Sequence, residues 1–411
     1  MGNITDIIIL ISFLVEVFLL VKLEKTLWGT YYTPLIILML PYTVVLLITV
    51  SLPESLGFVS FYYPSILVWS VGLLVFFIPS AILGLIYRMF QKTDVVFCNP
   101  VSFRPIIVIG SVLLIMSFLY LMTRSLSSFD VIGSDEFAEA TLSGGLWGHV
   151  RHALLGLLIL FLFFFQKKII FYFLIIGILM VSIIYQVKSW ILIPVFAGII
   201  MRLYTEKTKL KLKYLFYILL GSVGMFFLSY YLIFVVAVEG KEFNIEVADF
   251  IYKHFFHYLI SGTAGLSIDI QNGILENPSA SRIFAPFLNI ISLITKDDLV
   301  SPINPVYLYS GWTGTNVRTF FGTLYVNLGT IGSIFFVFFF SMTLYAVLLW
   351  MKNKGNVWAL AFYSLMCALL FMGWFEFYFF HLIVIEVPVI IYLYIIILYK
   401  IKWKVNTSHK L

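Results

Sequence analysis

The stretch TFFGTLYVNLGTIGSIFFVFFFSMTLYAVLLW, residues 319–350, holds no charged side chain over its full length. A helix needs about 20 consecutive apolar residues to cross the hydrocarbon core of a membrane. The whole chain shares this character, since 62% of its 411 residues are hydrophobic and only 11% are charged, against about a quarter in a soluble domain. Only helices and closed barrels satisfy their backbone hydrogen bonds in lipid. The sequence therefore predicts an all-α, polytopic membrane protein.

Working outward from this stretch, we predict eleven transmembrane helices, of which it is the ninth. The loops between them segregate the basic residues, with 18 of the 26 Lys and Arg on one side, which the positive-inside rule makes cytoplasmic. The N-terminus is then outside and the C-terminus inside. The net charge of +6 reflects this topology, so no nucleic-acid partner is expected. The predicted spans are residues 4–21, 34–52, 64–87, 105–123, 150–165, 169–184, 190–203, 213–236, 319–350, 357–374 and 380–399.

Three segments follow from these spans. Residues 1–236 hold helices one to eight, residues 237–318 form a large extracytoplasmic loop with amphipathic helices, and residues 319–411 hold helices nine to eleven and a cytoplasmic tail. The first segment lacks a basic start and a cleavage site, so we expect a retained first span. Cys98 and Cys367 lie in a basic loop and a hydrophobic run, and no disulfide is expected. Because the large loop is the longest polar stretch, any chemistry should lie there.

Inside the loop, KEFNIEVADFIYKHFFHYLISG, residues 241–262, carries polar residues every three or four positions. This spacing predicts a helix with one polar face, lying at the membrane surface with its aromatic side chains toward lipid. We expect SGTAG, residues 261–265, to break it, with a second short helix at about 266–276. The face can belong to a structural cover with solvated charges, or it can border a site. The candidates for a base that accepts a hydroxyl proton are His257, Asp249 and Glu246.

Glycines and one arginine share a face of the ninth span. On a wheel of 100° per residue, Gly322, Tyr325, Gly329 and Gly332 fall within about 40° of Arg318. Glycines at this spacing predict close helix packing or a groove for lipid. An arginine at a helix end can merely snorkel, but one that faces a protein interior needs an anion. Phosphate suits its planar guanidinium best.

Other cations are candidates for the same anion. Residues 169–204 must cross the membrane and return, so each arm is short of about 20 residues and the turn YQVKSW is predicted to lie below the surface. Lys188 would then need a water-filled or anionic cavity. Arg151 opens the fifth span between His149 and His152, although Arg151 and Lys188 can equally be interfacial anchors. The candidate pyrophosphate-binding residues are Arg318, Arg282, Lys188 and Arg151.

Motifs for metal and nucleotide chemistry are missing from the sequence. It has no Walker A loop, no His-Glu-x-x-His, no Cys-x-x-Cys and no Gly-x-Ser-x-Gly. We therefore expect no metal and no cofactor. The remaining set of arginines, a lysine, histidines, carboxylates and aromatic residues suits a lipid-linked phosphate and a sugar.

The segment NVRTFFGTLYVNLGTIG, residues 316–332, entered from a long outer loop, resembles the repeat-unit polymerases of O-antigen and capsule synthesis, the Wzy-type family. Thr319, Gly322, Tyr325 and Gly329 match a Thr-x-x-Gly-x-x-Tyr-x-x-x-Gly pattern of that family. The stretches HYLISGTAGLSIDIQNG, residues 257–273, and VKSWILIPVFAGII, residues 187–200, also resemble family segments. Asn327 and Leu328 depart from the acidic and aromatic residues common in members.

This resemblance implies a GT-C-like polymerase or ligase architecture in a bacterial cytoplasmic membrane. A glycan on undecaprenyl pyrophosphate would be transferred to a hydroxyl of the next lipid-linked repeat unit, in O-antigen of lipopolysaccharide or in capsule. The implied partners are undecaprenyl-pyrophosphate-linked oligosaccharides and membrane lipids, with a chain-length regulator and a flippase. Two alternatives stay open, an O-antigen ligase-like glycosyltransferase and a flippase or transporter for lipid-linked oligosaccharides.

Overall fold

The computed structural model describes residues 4–52, 54, 57–89, 100, 102–127, 145–184, 188–207, 220–221, 223–224, 226–228, 244–273, 278–311 and 313–400. Helices account for most of this part of the chain, and its two strands have two residues each. Seven of its helices are long and apolar enough to cross a membrane. The prediction of an all-α, polytopic membrane protein is confirmed.

The helices are given in chain order. They are α1 (Ile4–Trp28), α2 (Pro34–Ser51), α3 (Ile66–Met89), α4 (Arg104–Ser127), α5 (Leu146–Phe163), α6 (Ile169–Ile184), α7 (Lys188–Tyr204), α8 (Ile245–Asn272), α9 (Ala280–Ile283), α10 (Ala285–Thr295), α11 (Phe320–Lys354), α12 (Val357–Phe371) and α13 (Ile383–Lys400). Strands β1 (Leu308–Tyr309) and β2 (Gly314–Thr315) form an antiparallel hairpin. Short 3-10 turns lie at Tyr63–Ser65, Met372–Trp374 and Tyr378–Phe380.

Helices occupy ten of the eleven predicted spans. The eighth, residues 213–236, lies largely outside the described residues, as do residues 128–144 and residues 185–187 of the YQVKSW turn. Helices α6 and α7 have 16 and 17 residues, which agrees with the short arms expected there. At about 1.5 Å per residue each helix is about 25 Å long.

The chain divides into two compact units. The first contains residues 1–94, 244–354 and 365–384, and the second contains residues 95–243, 355–364 and 385–411. In the first unit, α1 and α11 pack along α3, and α8 packs on α2. In the second unit, α5 packs on α7, and α4 packs on α5 and α6.

A polar network inside the first unit joins its membrane helices. The Tyr345 hydroxyl donates to Glu24 Oε1 at 2.9 Å and accepts from the Leu35 N–H at 3.2 Å. Ser80 also donates to Glu24 and accepts from Trp28 Nε1. A buried carboxyl group in lipid requires such partners, because an unpaired polar group in an apolar medium costs several kcal/mol. The network fixes α1, α2, α3 and α11 against one another.

In the second unit, one glycine and one arginine stabilise the packing of α7 against α5. An added Cβ at Gly198 of α7 would lie 2.6 Å from Leu162 Cβ of α5, so this glycine permits the close approach of the two helices. Arg202 Nη1 donates to the backbone oxygens of Leu162 and Phe163 at 3.1 and 3.3 Å. These are terminal carbonyls of α5, which have no partner within their own helix.

Helix α11 contains a break that was not predicted from the helical wheel of residues 318–332. Gly329 has φ 67° and ψ −178°, which is not helical. Such a positive φ is easily reached only by glycine. The face predicted to run from Arg318 through Gly332 is therefore wrong, because the helix begins at Phe320 and changes direction at Gly329. The part after the break, residues 330–354, is about 37 Å long and can cross a membrane by itself.

Helix α8 also departs from the prediction. SGTAG does not break it, and one helix runs from Ile245 to Asn272. Glycine weakens an isolated helix by about 1 kcal/mol, but here both glycines face backbone. A Cβ on Gly262 would lie 2.7 Å from Trp374 O, and one on Gly265 would overlap Val317 O. The small residues thus admit neighbouring chain segments, and the resulting packing maintains the helix.

Candidate functional site

Arg318 lies in the irregular segment between β2 and α11 and is buried. Its side chain is 2% exposed and its Nε donates to Asp269 Oδ2 of α8, a residue with no exposed surface. Its Nη1 donates to Val317 O at 3.1 Å. Among the described residues, Arg318 Nη2 and Asp269 Oδ1 have no hydrogen-bond partner. The arginine predicted to meet an external anion is therefore paired within the protein, with one donor group and one acceptor atom left over.

A second carboxyl group, that of Glu376, interacts electrostatically with this arginine. Burial raises the pKa of Glu376 to about 8, and the Arg318 guanidinium opposes that shift. Burial likewise raises the pKa of Asp269 above its ordinary value, again against the effect of Arg318. Glu376 follows the turn Met372–Trp374. Its raised pKa favours the protonated form of this carboxyl group at neutral pH. We name Arg318, Asp269 and Glu376 the arginine cluster.

Residues around the arginine cluster hold it in place. Trp69 Nε1 donates to Thr319 Oγ1 at 2.9 Å, and Thr323 Oγ1 donates to Arg318 O at 2.6 Å. Thr315 Oγ1 donates to Ser261 O at 3.3 Å, which ties strand β2 to α8. These contacts come from α3, α8, β2 and α11, so the position of Arg318 depends on four elements.

The three predicted bases are not gathered in one place. Glu246 is exposed in the first turn of α8, and Asp249 pairs with Lys253 at 2.7 Å on its surface. His257 is buried, eleven residues beyond Glu246, or about 16 Å along the helix axis. Its Nδ1 lies 3.3 Å from Ser310 Oγ.

The environment of His257 makes it a weak base. Burial, with a smaller effect of His254, lowers the pKa of His257 to about 4. A hydrogen bond with the backbone of Gly314 acts in the opposite direction. The ring is therefore neutral at pH 7, and its low proton affinity makes it a poor acceptor for a hydroxyl proton.

Among the described residues, only the first of the predicted glycines, Gly322, packs closely against another helix. A Cβ on Gly322 would lie 3.1 Å from Leu266 Cδ1, so this glycine does pack against α8. Among the described residues, a Cβ on Gly329 would meet nothing within 4 Å, and one on Gly332 would meet only Leu328 of its own helix. The prediction of close helix packing is therefore wrong for Gly329 and Gly332, because the break at Gly329 removes the common face, and the alternative of a groove for lipid stays a prediction. Tyr325 is half-buried before the break.

The other predicted cations are distributed over both units. Arg282 lies half-buried in α9 of the first unit, where burial lowers the pKa of its guanidinium. Arg151 lies in α5 of the second unit, with its guanidinium carbon 5.6 Å from the centre of the Trp190 ring. Lys188 is the first residue of α7, and its side chain lies outside what the structure describes.

Sequence reasoning missed the two carboxyl partners of Arg318. Asp269 lies within the large loop predicted from the sequence, and Glu376 stands alone in the aromatic run MGWFEFYFF, residues 372–380. A single charge inside an apolar stretch was the available signal, because such a charge needs a partner. Which cation it pairs with depends on contacts between α8, the α12–α13 connection and the start of α11.

No group of three or more His, Cys, Asp or Glu residues within the described part of the chain could hold a metal ion. In comparisons with known proteins, the family of unknown function DUF6337 matches residues 57–405. No curated protein and no solved structure matches this chain.

Proposed function

The chain belongs to the DUF6337 family of unknown function, and we propose from its own residues that it is a glycosyltransferase. It polymerises lipid-linked oligosaccharide repeat units of O-antigen or capsule at the outer face of a bacterial cytoplasmic membrane. The growing glycan is transferred from undecaprenyl pyrophosphate to a hydroxyl of the next repeat unit. The sequence resemblance to Wzy-type polymerases supports this reaction, as does the all-α membrane fold.

The observation that carries the proposal is the arginine cluster. Its buried ion pair leaves the Arg318 Nη2 donors and the Asp269 Oδ1 acceptor unused among the described residues. A buried polar group without a partner costs about 1–3 kcal/mol, and more when it is charged. An anionic phosphate oxygen satisfies the donors, and a sugar hydroxyl satisfies the acceptor. A glycosyl pyrophosphate offers both groups within one molecule.

The chemistry of the leaving group agrees with this assignment. When the bond between the anomeric carbon and pyrophosphate breaks, negative charge develops on the pyrophosphate oxygen. A fixed guanidinium stabilises such a charge more strongly in a dry protein environment than in water. Burial raises the pKa of Glu376 to about 8, which disfavours a competing negative charge beside Arg318.

The proposed orientation follows from the distribution of the loop charges. Residues 244–319, which contain α8, α9, α10 and the hairpin, are extracytoplasmic, and the loop at 355 is cytoplasmic. Undecaprenyl-pyrophosphate-linked oligosaccharides are the substrates, and a flippase supplies them to that face. A chain-length regulator would act on the same product.

Deletion of the gene tests the function. We expect the deletion strain to accumulate single lipid-linked repeat units, and complementation to restore a ladder of longer glycans on sizing gels. Accumulation of full-length chains that are not attached to their final acceptor would instead indicate a ligase. Repeat units trapped on the cytoplasmic side would indicate a transporter.

Replacement of Arg318 tests the site. We expect Arg318→Ala to lose about 10- to 150-fold of the polymerisation rate, because a hydrogen bond to a charged group contributes about 1.5–3 kcal/mol. Arg318→Lys should recover part of the rate, since lysine keeps the charge and loses the planar fork. The measurement is ladder length normalised to the amount of protein in the membrane.

Lys253→Ala is the matched control for this experiment. It removes a basic residue whose partner, Asp249, is exposed, and an exposed ion pair contributes about 0–1 kcal/mol. A normal ladder for Arg318→Ala at normal abundance would remove Arg318 from the site.

A further inference from the structure

The second unit contains a cavity of about 610 Å³ at one end of its membrane helices. Phe103, which precedes α4, and residues 163–166, at the end of α5, line it together with Arg202 and Lys207. Arg202 lies in the last turn of α7, and Lys207 follows that helix. All the described lining residues belong to the second unit. A volume of about 300–1,000 Å³ is typical of a site for a small ligand.

The described residues that line the cavity include two cations and no Asp or Glu. The Arg202 guanidinium is held at the wall by its bonds to the backbone oxygens of Leu162 and Phe163. Glu206, which precedes Lys207 in the chain, is exposed and is not part of the described lining. Two like charges at one cavity repel each other, and an anion bound between them offsets that repulsion.

The Lys207 ammonium group lies against aromatic rings. Its Nζ is 4.0 Å from the centre of the Phe163 ring and 5.2 Å from that of the Phe164 ring. Although the residue as a whole is exposed, partial burial lowers the pKa of this ammonium group, and the charge of Arg202 adds to the shift. The positive charge is therefore poorly solvated by water, and an anionic ligand compensates for the lost water.

Three phenylalanine rings form a continuous wall of the cavity. The ring centres of Phe163 and Phe164 are 4.5 Å apart, and those of Phe103 and Phe164 are 5.5 Å apart. Aromatic side chains are enriched at membrane–water interfaces, where they meet both apolar and polar parts of a lipid. An apolar wall beside two cations suits a ligand that is itself amphipathic and anionic.

The position of the cavity along the helices indicates which anion reaches it. Helix α5 has 18 residues, or about 27 Å at about 1.5 Å per residue, close to the hydrocarbon thickness of about 30 Å. The end of α5 therefore lies at the edge of the hydrocarbon core, at the depth of the lipid phosphates. Arg104, Lys167 and Lys168 adjoin the lining residues along the chain and are exposed. Basic pockets between membrane helices bind anionic lipid headgroups.

We propose that this cavity binds the phosphate headgroup of an anionic membrane lipid, with Arg202 and Lys207 as the residues that hold the phosphate. The guanidinium and the ammonium group donate to the phosphate oxygens, and the phenylalanine rings cover the glycerol and the first acyl carbons. A bound lipid connects the ends of α5 and α7 and stabilises the second unit. This inference does not depend on the proposed function.

Thermal unfolding of the purified full-length chain in detergent tests the site, with phosphatidylglycerol as the probe. A ligand that binds only the folded state raises the melting temperature with its concentration. We expect this rise for phosphatidylglycerol and not for phosphatidylcholine with the same acyl chains, which has no net charge. Glycerol 3-phosphate and inorganic phosphate should have no comparable effect, because they have no apolar part to contact the phenylalanine rings.

Two variants assign the effect to the cavity. Lys207→Gln should raise the phosphatidylglycerol concentration that gives half of the stabilisation by about 5-fold, since one basic residue near lipid headgroups is lost. Gln166→Trp keeps both cations and fills part of the cavity, so it should also weaken binding. Lys22→Gln is the matched control, because it removes an exposed basic residue at the end of another predicted span, and it should keep the wild-type value.

Weaker lipid binding by Lys207→Gln and Gln166→Trp, with Lys22→Gln unchanged, would support the proposal. Equal half-saturating concentrations for the wild type and both cavity variants would overturn it, since the lipid would then act elsewhere on the chain. Stabilisation by glycerol 3-phosphate or inorganic phosphate to the same extent as by phosphatidylglycerol would also overturn it, because the ligand would then be a soluble phosphate.

Discussion

Single residues of the arginine cluster illustrate how burial changes a functional assignment. Arg318 was predicted to bind an anion because an arginine near lipid needs one, and the structure supplies Asp269 as that anion. Removal of one partner from a buried pair typically costs about 3–5 kcal/mol, since the other charge is left uncompensated. The pair therefore has a structural role in addition to the proposed one, and variants of it require a measurement of protein abundance.

Glu376 should make stability depend on pH. Its pKa rises from 4.5 to about 8 through burial, so the folded state holds the proton more tightly than the unfolded state. Its contribution to stability is fully present below about pH 4.5 and is lost as the pH rises to about 8. We expect Glu376→Gln to raise the melting temperature at pH 8 more than at pH 5, as measured by intrinsic fluorescence in detergent.

His257 provides the comparison for that experiment. Burial lowers its pKa from 6.5 to about 4, so its contribution is present above about pH 6.5 and is lost as the pH falls towards 4. The contribution of His257 to stability therefore changes with pH in the opposite direction to that of Glu376, and it does so in a different pH range. An equal change in melting temperature at pH 5 and pH 8 for Glu376→Gln would refute the assignment of a raised pKa.

At the scale of elements, α8 illustrates how packing overrides local preference. The sequence SGTAG favours a break when only neighbours along the chain are considered. Instead, its glycines receive the backbone of residues 317 and 374–375, which belong to segments distant in sequence. Helix stability in proteins comes mainly from such tertiary contacts.

Two glycine-to-alanine variants separate the effect of tertiary packing from that of local helix preference. Gly265→Ala should destabilise the protein by about 1–3 kcal/mol, because the new methyl group meets Val317 O and the Arg318 side chain. Gly148→Ala in α5 should be neutral or stabilising by up to about 1 kcal/mol, since its Cβ would meet nothing within 4 Å among the described residues. Melting temperatures at fixed detergent concentration test both, and equal values for the two variants would contradict the packing argument.

At the scale of the whole molecule, the proposed orientation has a direct test. Reporter fusions after residues 206 and 353 should be active only in a cytoplasmic assay, and a fusion after residue 297 only in an extracytoplasmic one. The reason is that most Lys and Arg residues of the loops lie on the side that contains residues 206 and 353, and the positive-inside rule makes this side cytoplasmic. Extracytoplasmic activity of the fusion after residue 206 would reverse the orientation and remove α8 from the outer face.

The sequence by itself determined the fold class and the positions of most spans. Uncharged runs such as residues 319–350 must cross lipid as helices, because no other open structure satisfies the backbone there. This requirement is local, and it needs no knowledge of which helix contacts which. For the same reason, the short α6 and α7 could be predicted from the distance between basic residues alone.

Only the tertiary structure decided the partners and the breaks. Asp269 and Arg318 are 49 residues apart, and Glu386, whose carboxylate contacts His149 and His152, is more than 230 residues from both, so no spacing rule connects these pairs. Gly329 was predicted to lie on a helix face used for packing or for lipid, and it instead adopts a positive φ, which its residue type permits and does not require. Burial and pairing depend on which segments meet in space, and this physical fact is absent from any local pattern.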